Sequence, residues 1–118
     1  MRYLFKSNTT FFLQENISMK SLPPSSPVLL TIEDDSLLRS TLTTYLVRYG
    51  YTMFEAENGQ QGLELFNRHK PDVVLLDLRL PILDGLDVLY TIHTSSPETP
   101  VIIVSGMGTF EDVKSSRW

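Results

Sequence analysis

The feature that most limits what this chain can fold into is a pair of short, unbroken apolar and β-branched runs, each stopped by acid. Val28 to Ile32 runs into Glu33-Asp34-Asp35, and Val73 to Leu76 runs into Asp77. A run of this length without polar alternation describes a strand covered on both faces. Two such strands in a chain of 118 residues leave room for one compact domain and no second core.

The segments between the runs carry helical spacing. Leu38, Leu42, Tyr45 and Tyr49 fall within a narrow arc at 100° per residue, with Asp35 or Ser36 placed to cap the start and Gly50 the end. Tyr51 to Ala56 is a second strand of mixed polarity, and Asn58-Gly59 marks the turn out of it. Gly62, Leu63 and Phe66 share one side of a second helix, which must stop near Lys70 because Pro71 follows. After the loop from Leu78 to Asp84, the residues Leu86, Leu89 and Ile92 mark a third helix, and Val101 to Val104 a fourth strand. The Leu, Tyr and Phe positions at helical spacing are assigned to the core. His69 and His93 are read as surface residues with no catalytic or metal role.

Strands alternating with helices over short connections imply right-handed crossovers and a parallel sheet with helices on both faces. The fold class is therefore α/β. In such open sheets the site lies beyond the carboxyl ends of the strands, where strand order reverses. Those ends carry Glu33-Asp34, Asp77 and Ser105. Carboxylates held together there repel one another unless one is protonated or a cation joins them. A hard divalent ion with oxygen ligands, Mg²⁺ above all, relieves that repulsion and bridges carboxylates to phosphate oxygens. Asp35 is better used as a helix cap.

These residues carry a resemblance. Ile32-Glu33-Asp34-Asp35, then Val74 through Gly85 with Asp77, Pro81 and Gly85 in place, then Val101-Ile102-Ile103-Val104-Ser105-Gly106, together resemble the receiver domain of two-component response regulators. The order and spacing match from about Val28 to Val113. The resemblance implies a doubly wound, CheY-like (flavodoxin-type) sheet of order 2-1-3-4. It implies phosphorylation of Asp77 by a histidine kinase or phosphotransfer protein. It makes Asp34 and Asp77 direct Mg²⁺ ligands, Glu33 an acid acting mainly through metal-bound water, and Arg79 a ligand through its backbone carbonyl. Ser105 becomes the hydroxyl that turns toward the phosphoryl group. No turnover enzyme is implied; the protein would accept a phosphoryl group on itself.

The chain also departs from that pattern. A receiver continues through a fourth helix, a fifth strand bearing a Lys followed by Pro, and a fifth helix, whereas 13 residues follow Ser105. A helical crossover needs at least about 10 to 12 residues and a strand about five more. The fifth strand and fifth helix are thus expected to be missing, by truncation or frameshift near Val113. That leaves residues 28–113 as an incomplete receiver and 114–118 as a tail outside the family pattern. Three further expectations follow: slower phosphorylation for want of the family's Lys, impaired output to a missing downstream domain or partner, and self-association through an uncovered fourth-strand edge.

Residues 1–27 read as a leader with a Ser/Pro-rich linker from Ser21 to Pro27, expected to be disordered, and either Met1 or Met19 could begin the protein. Its longest apolar run, Phe11-Phe12-Leu13, is far short of the about 7 to 15 residues of a signal peptide. With no cysteine and a net charge of −4, the composition argues against disulfides, thiolate metal sites, and direct binding to nucleic acid or an anionic membrane. A cytoplasmic protein fits. Two other functions share the acidic strand ends: a receiver-like adaptor that never takes phosphate, and a Mg²⁺-dependent phosphohydrolase of the haloacid dehalogenase type. The latter places a second Asp where this chain has Arg79.

Overall fold

The computed structural model describes residues 2–7, 10–13 and 26–105, with the backbone alone described for 2–7, 10–13 and Ser105. Four parallel strands form the centre: β3 (Val28–Ile32), β4 (Thr52–Ala56), β5 (Val73–Leu76) and β6 (Val101–Ser105). They lie in the order β4-β3-β5-β6, the expected 2-1-3-4 arrangement, and three helices connect them. These are α1 (Ser36–Val47), α2 (Gly59–His69) and α3 (Gly85–Ser95).

The β5 residues are all buried, Val74 and Leu76 completely, as an uninterrupted apolar run requires. Alternate residues of the sheet point into two separate cores. Leu30, Ile32, Val74, Leu76 and Ile103 pack with Phe66, Val88, Leu89 and Ile92 of α2 and α3. On the other face Leu29, Val73, Leu75, Ile102 and Val104 pack with Leu38 and Leu42 of α1. Each fully buried aliphatic side chain contributes about 1.5–3 kcal/mol relative to exposure, so the two faces together hold the sheet between the helical layers.

Local chemistry fixes the helix ends. Asp35 accepts from the Leu37 and Leu38 amides at 3.0 and 3.1 Å, which makes it the cap of α1. Asn58 accepts from the Gln61 amide at 2.8 Å, while the Gln61 side chain accepts from the Glu57 amide at 2.8 Å. This reciprocal arrangement starts α2 directly after β4. Lys70 ends that helix in the left-handed region, at φ 48°, immediately before Pro71.

Several expectations need correction. Tyr45 and Tyr49 are exposed, with their rings 5.1 Å apart, because the packed face of α1 runs through Leu38, Leu42 and Leu46 instead. His69 is half-buried and stacks on Phe54 at a centroid distance of 3.8 Å, rather than lying free on the surface.

The largest difference concerns the leader. Residues 2–7 and 10–13 are strands: β1 (Arg2–Ser7) pairs antiparallel with β2 (Thr10–Leu13) and parallel with β6. The sheet therefore reads β2-β1-β6-β5-β3-β4. The expected disorder is corrected for these two strands, and the expected open edge at β6 is occupied by β1, which removes the premise for self-association there. A strand edge presents unpaired amides and carbonyls, and pairing with β1 satisfies them within the same chain. The expected start of a fourth helix and the tail at 114–118 lie outside the described residues.

Candidate functional site

The acidic cluster follows from register. Ile32 on β3 stands opposite Leu76 on β5, so the next residues, Glu33 and Asp77, leave adjacent strands at the same level. The backbone continues the ladder for one more step on each side: the Glu33 amide donates to Ala56 O at 2.9 Å, and the Asp77 amide to Ile32 O at 2.9 Å. Glu33, Asp34 and Asp77 then bring one carboxylate oxygen each within 4.8 Å of one another.

Their environments differ. Glu33 is buried, at 3% exposure, Asp77 is half-buried and Asp34 is exposed. Burial, a hydrogen bond with Asp77 and the neighbouring Asp77 charge push the Glu33 carboxyl up to about 8, against a smaller opposing effect of the Asp35 amide, which donates to Glu33 Oε2 at 3.1 Å. Without a cation, the cluster relieves its repulsion by keeping a proton on Glu33. Three oxygen donors crowded to the point of sharing a proton are a donor set suited to a hard divalent ion. Glu33, Asp34 and Asp77 fit Mg²⁺ on that ground.

Backbone contacts set the Asp77 side. The Arg79 amide donates to Asp77 Oδ1 at 3.0 Å, which fixes one carboxylate oxygen. The loop then returns so that the Gly85 amide donates to Leu78 O at 3.2 Å, with Asp84 capping α3 through the Leu86 amide at 2.8 Å. A Cβ on Gly85 would come 2.7 Å from Asp77 O and closer still to Leu78, so this position excludes any side chain. Within the same loop Ile82 has φ 72° and is 77% exposed. That backbone region is costly for a β-branched residue.

One contributor was not legible from motifs. Arg39 of α1 donates from its guanidinium to Glu33 O at 2.6 Å and pairs with Glu55 at 3.5 Å, tying α1 and β4 to the turn that presents Glu33 and Asp34. The only sequence signal was a basic residue one turn into an otherwise uncharged helix. Ser105 closes β6 at the same end of the sheet.

A profile of the response regulator receiver domain matches residues 29–116. The chain belongs to the response regulator receiver domain family. This receiver is 36% identical over 83 residues to the cell cycle response regulator CtrA of Brucella ovis, a match that covers 70% of this chain and 36% of that protein. The chain thus spans about a third of the length of the curated relatives it matches. Among solved structures it resembles the signal receiver domain of a LuxO repressor protein from Vibrio parahaemolyticus, with 32% identity and a TM-score of 0.68 over 73% of this chain and 66% of that one. It also resembles the receiver domain of the Francisella response regulator 1452, with 30% identity and a TM-score of 0.68 over 74% and 72% of the two chains. A CheY-like receiver from Methanospirillum hungatei superposes with a TM-score of 0.72 at 24% identity, over 76% of this chain and 72% of that one, a likeness of fold. No helix among the described residues is long and apolar enough to cross a membrane.

Proposed function

We propose that this receiver accepts a phosphoryl group on Asp77 from a histidine kinase or phosphotransfer protein, with Mg²⁺ held by Glu33, Asp34, Asp77 and the backbone carbonyl of Arg79. The observation that carries the reading is the meeting of three carboxylates at the ends of β3 and β5, with the Asp77 carboxylate fixed by the Arg79 amide. The metal, when bound, neutralises charge on the phosphoryl oxygens.

The protein's own residues account for the rest. An Asp77 carboxylate oxygen attacks phosphorus in line, forming the new P–O bond. The bond from phosphorus to the donor's nitrogen or oxygen breaks, and its electron pair leaves with the donor. The product is an acyl phosphate on Asp77. Glu33 must release its proton for the cluster to take up a divalent cation, and Arg39 keeps the Glu33-Asp34 turn in place meanwhile. Ser105, at the end of the adjoining β6, supplies the hydroxyl that hydrogen-bonds a phosphoryl oxygen once the group has arrived. The receiver is a substrate of group transfer and not an enzyme with turnover. It works in the cytoplasm, where its kinase's phosphohistidine is available, and hands its signal to a downstream domain or partner.

Incubation with acetyl phosphate and Mg²⁺ tests this reading. Intact-protein mass spectrometry should show one phosphoryl adduct that chelation of Mg²⁺ prevents and Asp77→Asn abolishes. No adduct on a folded protein would favour an adaptor that acts without phosphate.

A further inference from the structure

We infer that β1 is a working part of the phosphoryl site: it completes the sheet beside β6 and, by its parallel direction, carries Lys6 to the margin where Ser105 and Asp77 stand. The inference rests on the phosphoacceptor reading above and adds a cationic residue to it from the opposite end of the sequence.

Register carries the argument. Tyr3, Ile103, Leu76 and Ile32 stand on one line across β1, β6, β5 and β3. All four strands run the same way, so the residues that follow this line emerge at one margin of the sheet. Glu33 and Asp77 come first on their strands. Ser105 lies two residues beyond the line on β6, opposite Phe5 of β1. Lys6 is the next residue of β1, placing a lysine backbone one step past Ser105 on the neighbouring strand. Had β1 paired antiparallel, Lys6 would have been sent to the far end of the sheet.

The order of strands places this residue usefully. Asp77 leaves β5, with Glu33 and Asp34 on the β3 flank and Ser105, then Lys6, on the β6 and β1 flank. A phosphoryl group on Asp77 would therefore have the acids on one side and a lysine position two strands away on the other, about 10 Å at ordinary strand spacing. A lysine at that margin brings positive charge to the side of Asp77 away from the acids. Arg39 does not compete for the role, because its guanidinium is engaged by Glu33 O and Glu55. Arg2, the other cation of β1, stands opposite Ile102 and so sits toward the opposite end of the strand.

That symmetry supplies the test. The rate of phosphoryl gain from acetyl phosphate with Mg²⁺ would be measured for the full chain and for Lys6→Met, Lys6→Arg and Arg2→Met. Taking one positive charge from that margin should make Lys6→Met slower than the parent by about tenfold or more. Lys6→Arg should recover most of the rate, and Arg2→Met, which removes the same charge from the same strand, should stay within about twofold of the parent. Equal rates for Lys6→Met and the parent, or equal losses in Lys6→Met and Arg2→Met, would overturn the role of Lys6. Cross-strand NOEs between Phe5 and Ser105 test the strand placement without any phosphoryl chemistry, and their absence would overturn the inference. If the NOEs are present but the parent takes no phosphoryl group, the phosphoacceptor reading fails and the role of Lys6 falls with it, while β1 keeps its place in the sheet.

Discussion

Glu33 and Asp77 project from neighbouring strands at the same level, with carboxyl oxygens within 4.8 Å, and the buried member of the pair is the one that keeps its proton. This arrangement has a signature in pH. The Glu33 carboxyl has an ordinary value of 4.5 and is raised to about 8 in the folded, metal-free protein. Between those values the folded state binds a proton that the unfolded state has released, so the Glu33 contribution to stability is full below about 4.5 and is lost as pH rises to about 8. The difference in unfolding free energy between the parent and Glu33→Gln, measured by urea titration without metal, should therefore shrink in the parent's disfavour across that window. A pH-independent difference would contradict the assignment.

Metal binding should show the opposite trend. An ion that needs Glu33 ionised must displace its proton, so Mg²⁺ affinity should rise with pH up to about 8 and level off above it. Calorimetric titration at several pH values checks this, together with proton release in buffers of different ionisation enthalpy. In Asp77→Asn the pH dependence should weaken, since one cause of the raised Glu33 value is removed.

Gly85 holds the loop that presents Asp77. Its alanine variant would force a methyl group to 2.7 Å from Asp77 O, with Leu78 closer still, and both are backbone contacts that cannot swing aside. Gly85→Ala should cost about 1–3 kcal/mol, the range for overpacking, and should also shift the amide resonances of Asp77 and Leu78. Unchanged stability would show that the loop has room the structure does not have.

Arg39 separates a buried contact from an exposed one. Its hydrogen bond to Glu33 O is short and partly buried, whereas its partner Glu55 is 40% exposed on the side chain. A hydrogen bond from a charged group is worth about 1.5–3 kcal/mol, and an exposed ion pair about 0–1. Arg39→Met should thus destabilise more than Glu55→Gln in denaturant titrations. Equal effects would place the value of Arg39 in the ion pair.

Ile82 offers a stabilising change. Its side chain is 77% exposed, so its removal forfeits little packing, while φ 72° is tolerated far better by Asn. Ile82→Asn should raise stability by about 0.5–1 kcal/mol. A loss would mean that the isoleucine makes a contact that outweighs its backbone cost.

The parts of this molecule that could be read from sequence are those decided locally. Val73–Leu76 declared itself because a strand buried on both faces leaves no polar position, and Asp35 because a cap needs a short acceptor just before the apolar spacing begins. The acids at 33, 34 and 77 were legible once the order of strands was known, since the carboxyl ends of a parallel sheet share one margin. What periodicity could not supply was the line of contact: Tyr45 and Tyr49 keep the spacing of Leu38 and Leu42, yet it is Leu46 that continues the packed face while both tyrosines are exposed. Nor could it supply a partner. Arg2–Ser7 sets Tyr3, Leu4 and Phe5 in a row between polar ends, with no alternation to mark a core face, and it pairs with a strand 100 residues away, Arg2 standing opposite Ile102. That choice is made by the unpaired groups of β6, which no local pattern in residues 2–7 reveals. Arg39 was missed for a similar reason, because its role depends on where the Glu33 carbonyl points after folding.

The most direct measurement is the position of the phosphoryl group. After reaction with acetyl phosphate and Mg²⁺, reduction with borohydride converts an aspartyl phosphate to homoserine, and tandem mass spectrometry of the digest locates it. Homoserine is expected at position 77 and nowhere else. Homoserine at Asp34 or Asp35 with Asp77 untouched, or an unmodified digest from a folded, Mg²⁺-binding protein, would contradict it.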